Sequence, residues 1–276
     1  SAHLLEHLMF RGSKKVKDGE YNRIMHENGA DSNAFTSYDM TVYHQFADIS
    51  RLEALMALEA DRMQNLNFDD QAFAAEQKIV YQERKQVVEK NLLLWGNSPY
   101  GHPVTGLAEE IMQLKADDVR SFYQSFYAPN NAILVLAGDI DVKTAKKLAQ
   151  KYYGNIEAKE ISKNKIEAEQ HDFAEKIKMK LPFITTPKLT IKYLLPHFSA
   201  VKGNIYDYMV LAEYLGGGQT SALYQELVTK SRLAVGVSAG YAFNANGNSV
   251  FSVFAVPAQN TSMLALNVAL REARAQ

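Results

Sequence analysis

Ser1-Ala2-His3-Leu4-Leu5-Glu6-His7 is the stretch on which the reading of this chain turns. On a helix, side chains three and four positions apart are neighbours, so His3, Glu6 and His7 share a face. Neutral imidazoles suit a borderline-soft divalent metal, zinc most often. A carboxylate set between them can take a proton from a water on that metal. The order is H-x-x-E-H, the reverse of H-E-x-x-H. Two surface histidines on an amphipathic helix would spell the same letters, so a third ligand has to be found.

A catalytic zinc site takes three protein ligands and leaves one position open. The segment from Asp69 to Asn91 reads as a long helix, free of Gly and Pro, starting at Asn67-Phe68-Asp69-Asp70 and carrying apolar Phe73, Ile79, Val80, Val87 and Val88. Its acids include Glu76, Glu83 and Glu89. Glu76 and Glu83 lie two turns apart along one stripe. By spacing alone they are equally a solvated acidic face.

Further stretches carry a resemblance. Ala2-His3-Leu4-Leu5-Glu6-His7-Leu8-Met9-Phe10-Arg11-Gly12-Ser13 is similar to the AHxxEHxxFxGT segment of the M16 (pitrilysin-like) zinc metallopeptidases, whose H-x-x-E-H order is called inverzincin. Glu76-Gln-Lys-Ile-Val-Tyr-Gln-Glu83 resembles their E-x6-E pair, which follows some seventy-odd residues on. The stretch from Gly29 to Tyr43, containing Asn33-Ala34-Phe35-Thr36, resembles their G-x-x-N-A-x-T-x-x-D-x-T-x-Y. Gly216-Gly217-Gly218-Gln219-Thr220-Ser221-Ala222-Leu223-Tyr224 resembles the glycine-rich motif of their second half.

The resemblance implies a fold and a chemistry. The fold is α+β, two homologous α/β units in tandem, here truncated at both ends. Residues 1–155 form the metal-binding unit, 156–176 a linker, and 177–276 an incomplete second unit. His3, His7 and Glu83 hold one zinc per chain, with Glu6 as general base. Glu76 orients a ligand histidine through its other ring nitrogen. Asn33, Ala34 and Phe35 lie on an edge strand that pairs with an extended peptide substrate. An ordinary edge strand with a polar turn is the alternative for that segment.

One departure from the family pattern bears on partners. Active single-chain relatives carry an R-x6-Y pair in the second half that binds substrate and stabilises the oxyanion. The matching stretch, Leu227-Val228-Thr229-Lys230-Ser231-Arg232-Leu233-Ala234-Val235, has valine at both positions, Val228 and Val235. Neither donates a hydrogen bond, and one lost oxyanion donor costs roughly 3 kcal/mol in the transition state. The chain thus resembles the metal-bearing subunit of bacterial heterodimers whose homologous partner supplies the Arg/Tyr pair. The other class of function is a non-catalytic assembly subunit, although such subunits tend to lose the metal set that is intact here.

Composition narrows the field less. With 276 residues, 47% hydrophobic and 22% charged, the chain can bury a sizeable core. A formal net charge of −1 points to no polyanionic partner, hence no nucleic acid. No cysteine is present, which excludes thiolate ligands and suits an exported, periplasm-like compartment. No apolar run reaches the roughly 18 residues of a membrane span. The chain reads as an internal fragment of a longer protein, beginning inside the metal motif and ending in an uncapped helical stretch, Leu264 to Gln276.

Coarse patterning predicts helices at Ala2–Phe10, Glu20–Asn28, Ile49–Asn65, Ala116–Tyr127, Val142–Tyr153, Asn204–Leu215 and Thr220–Thr229. It predicts strands at Ser32–Ser37, Thr41–Ala47, Asn131–Ala137, Lys188–Leu195, Val235–Phe243 and Ser249–Val256, the last two joined through Asn244-Ala245-Asn246-Gly247. Asn91–Gly106 reads as loop, with Trp95 filling core or sitting on a mobile apolar loop. His26, His44, His102, His171 and His197 stand at no ligand spacing.

Overall fold

The computed structural model describes residues 2–86, 94–95, 98–162, 186–200 and 204–273. They fall into two compact units, one of Ser1–Asn91 with His102–Asn164, the other of Leu92–Gly101 with Lys165–Gln276. Both mix helix and antiparallel sheet, an α+β architecture.

The first unit is built on α1 (Ala2–Leu8). Its Ala, Leu and Glu residues favour helix, and Leu4, Leu5 and Leu8 make one buried stripe, each 2% exposed or less. That stripe packs on α4 (Asp70–Gln86) through Phe73 and Val80, and on α6 (Ala116–Phe126) through Val119. Burying each leucine contributes roughly 1.5–3 kcal/mol. Helix α1 ends at Leu8 rather than at Phe10, because the chain tightens there: Phe10 N donates to His7 O and Arg11 N to Leu8 O. Helix α4 starts where Asp69 caps it, its Oδ1 accepting from Ala72 N at 2.7 Å. Val87, Val88, Glu89 and Asn91, expected to continue it, lie outside the described residues.

Between these helices run α2 (Glu20–Glu27), strands β1 (Asp31–Thr36) and β2 (Thr41–Phe46), and α3 (Leu52–Asn65). Gly29, at φ 60°, stops α2 in the left-handed conformation that glycine tolerates. Strands β1 and β2 form an antiparallel hairpin in register Asp31↔Phe46 to Thr36↔Thr41. Its turn is closed by Ser37 N donating to Met40 O. A 3-10 turn, Ile49–Arg51, replaces the first residues expected of α3. A short helix absent from the sequence reading, α5 (Ala108–Gln113), precedes α6, and α7 (Val142–Tyr153) packs on α3.

One expectation for this unit fails. Asn131–Ala137 was expected as a buried strand. Residues 132–137 join no strand ladder among the described residues, and Ile133 and Val135 are 91% and 76% exposed. An apolar run becomes a buried strand only when a neighbour supplies both a ladder and a covering face, and no described residue does either.

The second unit is a three-stranded antiparallel sheet in the order β3-β5-β4, from β3 (Leu189–Leu195), β4 (Ala234–Ala242) and β5 (Ser249–Pro257). Helix α8 (Ile205–Gly216), α9 (Ala222–Tyr224) and α10 (Met263–Ala273) close its core around Leu223, Leu227, Val253, Leu266 and Leu270. The helix expected over Thr220–Thr229 is instead α9 running into a π-helix, Gln225–Lys230. The wide turn is held by Ser231 N donating to Glu226 O, and Arg232 then leaves it at φ 55°. Gly216 lets α8 approach β4, since a Cβ there would sit 2.1 Å from Ala239 N. Trp95 fills core, stacking near Tyr100 and Val250.

Candidate metal centre

Helix α1 crosses α4 so that both imidazoles face one carboxylate. His3 Nε2 and His7 Nε2 each lie 3.6 Å from Glu83 Oε2. Donor atoms of the three side chains all fall within 4.8 Å of one another. At 3.6 Å the pairs are too far apart to be hydrogen bonds, so the atoms surround a gap. Four donors about 2.0–2.1 Å from a tetrahedral zinc lie roughly 3.3 Å apart. The donor types and their spacing fit that ion.

Glu76, two turns before Glu83, meets the other side of His7, its Oε2 standing 2.9 Å from Nδ1. With Nδ1 carrying the proton toward Glu76, the lone pair of His7 lies on Nε2, facing Glu83. Arg11 Nε makes an ion pair with Glu76 Oε1 at 2.8 Å, and Arg11 Nη1 reaches Asp18 at 3.3 Å. Both oxygens of Glu76 are thereby engaged.

The electrostatics separate the two histidines. Burial, reinforced by the neighbouring His7, lowers the His3 pKa, which favours the neutral ligand form. Burial also pushes His7 down, but the Glu76 hydrogen bond and the charges of Glu83, Glu76 and Glu6 outweigh it, and the net direction is up. Glu76 moves the opposite way: its hydrogen bond to His7 holds it below the ordinary carboxylate value against the effect of burial.

Glu6 projects from the same helix and is buried, 8% exposed. Its Oε2 accepts from Thr36 Oγ1 at 2.5 Å. Thr36 closes β1, and that strand also carries Asn33, Ala34 and Phe35. Among the described residues β1 pairs only with β2. Asn33 is exposed and its Oδ1 accepts from Ala34 N at 2.8 Å, while the Phe35 ring is 48% exposed.

In the second unit, Val228 packs partly buried on the core and Val235 is 63% exposed on β4. Neither places a hydrogen-bonding side chain. From sequence, Arg11 has no assigned role and Thr36 is only part of the candidate substrate-binding strand. Each stands inside a quoted motif, which was the available signal, but their partners lie on other elements.

Residues 1–96 match the family described as Insulinase (Peptidase family M16), and residues 113–275 match Peptidase M16 inactive domain. The zinc protease PqqE from Helicobacter pylori is 28% identical over 246 residues, 84% of this chain and 55% of that protein. A probable mitochondrial-processing peptidase subunit beta from Schizosaccharomyces pombe is 28% identical over 166 residues, 57% of this chain and 36% of that one. The crystal structure of a protease from Helicobacter pylori superposes with a TM-score of 0.87 at 27% identity, over 99% of this chain and 68% of its own. The chain spans about half the length or less of these curated relatives.

Proposed function

The chain belongs to the M16 peptidase family, and from that premise we propose that it is the metal-bearing part of a zinc-dependent endopeptidase that hydrolyses extended peptides or unfolded segments. The observation that carries this reading is the convergence of His3, His7 and Glu83 on one gap beside the buried carboxylate of Glu6. Zinc held there would supply Lewis acidity, lowering the pKa of a water and polarising the scissile carbonyl.

The chain's own residues do the rest. Glu76 keeps the His7 proton on Nδ1 and so presents Nε2. Glu6 accepts the proton of the attacking water and passes it to the leaving amine nitrogen. An extended peptide adds to the edge of β1 through main-chain bonds, with the Asn33 amide turned to its backbone. The two α+β units are read as homologous halves in tandem. With valine at 228 and 235, the Arg/Tyr pair comes from a homologous subunit.

The test uses the full-length protein. About one zinc per chain is expected; Glu83→Gln weakens metal binding, and Glu6→Gln keeps the metal and abolishes peptide cleavage. Full activity in Glu6→Gln would remove it from the base role. The match of residues 113–275 to an inactive-domain family supports the second reading, a non-catalytic subunit. Under that reading a zinc-loaded protein with its Arg/Tyr-bearing homologue cleaves nothing.

A further inference from the structure

The carboxylate of Glu6 sits at the end of a file of hydroxyls. Thr36 Oγ1, 2.5 Å from Glu6 Oε2, also lies 3.1 Å from Thr41 Oγ1, its register partner across the β1–β2 hairpin.

Counting protons orients the whole file. A hydroxyl has one proton to donate. Glu6 as a carboxylate only accepts, so Thr36 spends its proton on Oε2 and must accept from Thr41. Both donors point toward Glu6, an arrangement in which each bond polarises the next.

Resting on the proposed peptidase reading, we propose that Thr36 is a positioning residue for Glu6, held in its donating orientation by Thr41. With Oε2 occupied by the Thr36 proton, an incoming proton goes to Oε1, and the carboxyl plane is set for transfer between water and leaving amine. The same strand that accepts the peptide, β1, thereby ends on the group that aims the base. This gives Thr36 and Thr41 of the hairpin motif one shared task.

Thr36→Val removes the hydroxyl at constant shape. In full-length, zinc-loaded protein assayed with its Arg/Tyr-bearing homologue, we expect kcat to fall roughly 100-fold, as for a misplaced catalytic group. KM, zinc stoichiometry and the affinity of the Glu6→Gln background for an uncleaved peptide should stay within about twofold, because no binding group is touched. Thr36→Ser should restore most of kcat. Thr41→Val should lower kcat alone and add nothing to Thr36→Val, since both cut one file.

Wild-type kcat in Thr36→Val would overturn the proposal, as would a Thr36→Ser variant as slow as Thr36→Val. Loss of zinc or of peptide affinity in Thr36→Val would reduce its role to folding. Additive losses in the double variant would remove the file. A zinc-loaded wild-type protein that cleaves nothing with its Arg/Tyr-bearing homologue would instead defeat the peptidase reading itself, which keeps the two failures apart.

Discussion

His7 and Glu76 illustrate how a single pair couples metal binding to pH. In the metal-free protein the folded pKa of His7 lies above its ordinary value of 6.5, and that of Glu76 below its ordinary 4.5. The histidine's contribution to stability is therefore present below 6.5 and lost as pH rises through its raised value. The carboxylate's contribution is present above 4.5 and lost as pH falls through its depressed value. Both act together between those ordinary values. Glu76→Gln should accordingly destabilise metal-free protein by about 1–2 kcal/mol in that window, with the difference shrinking toward alkaline pH. Thermal unfolding of the two proteins across pH reads this directly. A loss independent of pH would mean that Glu76 contributes through Arg11 and packing and not through His7. The same variant should weaken zinc binding roughly 10- to 100-fold, because the acceptor that orients His7 loses its charge.

At the scale of elements, two close approaches set the geometry. Helix α1 meets α4 through Leu4, Leu5 and Leu8, and this contact brings Glu83 over His3 and His7. Helix α8 meets β4 through the bare backbone of Gly216. Gly216→Ala would drive a methyl into Ala239 N, which is backbone and cannot rotate away. We expect a loss of about 1–3 kcal/mol from overpacking, measured by denaturant unfolding. Zinc stoichiometry should be unaffected, since the ligands belong to the other unit. Unchanged stability would show that α8 and β4 can separate without penalty. The π-helix Gln225–Lys230 belongs to this scale too: its extra residue per turn shifts the register between Leu227 and the start of β4, which no periodicity argument anticipates.

For the whole molecule, the second unit provides valines where the family pattern has an arginine and a tyrosine. The full-length chain alone should therefore cleave peptides poorly, and adding an Arg/Tyr-bearing homologue should raise the rate. Two missing donors at a few kcal/mol each correspond to several powers of ten. Arg232 is the in-chain candidate to replace them, so the assay is run with and without the homologue and repeated with Arg232→Ala. A lone chain that is already fast, and no faster with the homologue, would end the divided-site idea. Loss of that rate in Arg232→Ala would identify the substitute.

The sequence by itself determined whatever is local. The i, i+4 histidines had to stand side by side once Ala2–Leu8 became helix, Glu76 and Glu83 had to share a stripe of α4, and Tyr38-Asp39 had to fall at the tip of a hairpin. Helical and strand periodicity dictate these relations within a few residues. Tertiary structure alone decided which elements meet. It brought Glu83 Oε2 equidistant from both Nε2 atoms, tied Glu76 to Arg11, and laid Thr36 against Glu6 across thirty positions of chain. It also left Ile133 and Val135 exposed where their apolar letters promised a buried strand. Spacing fixes directions within one element, but a contact between two elements depends on how their buried faces pack, and that is summed over many side chains at once.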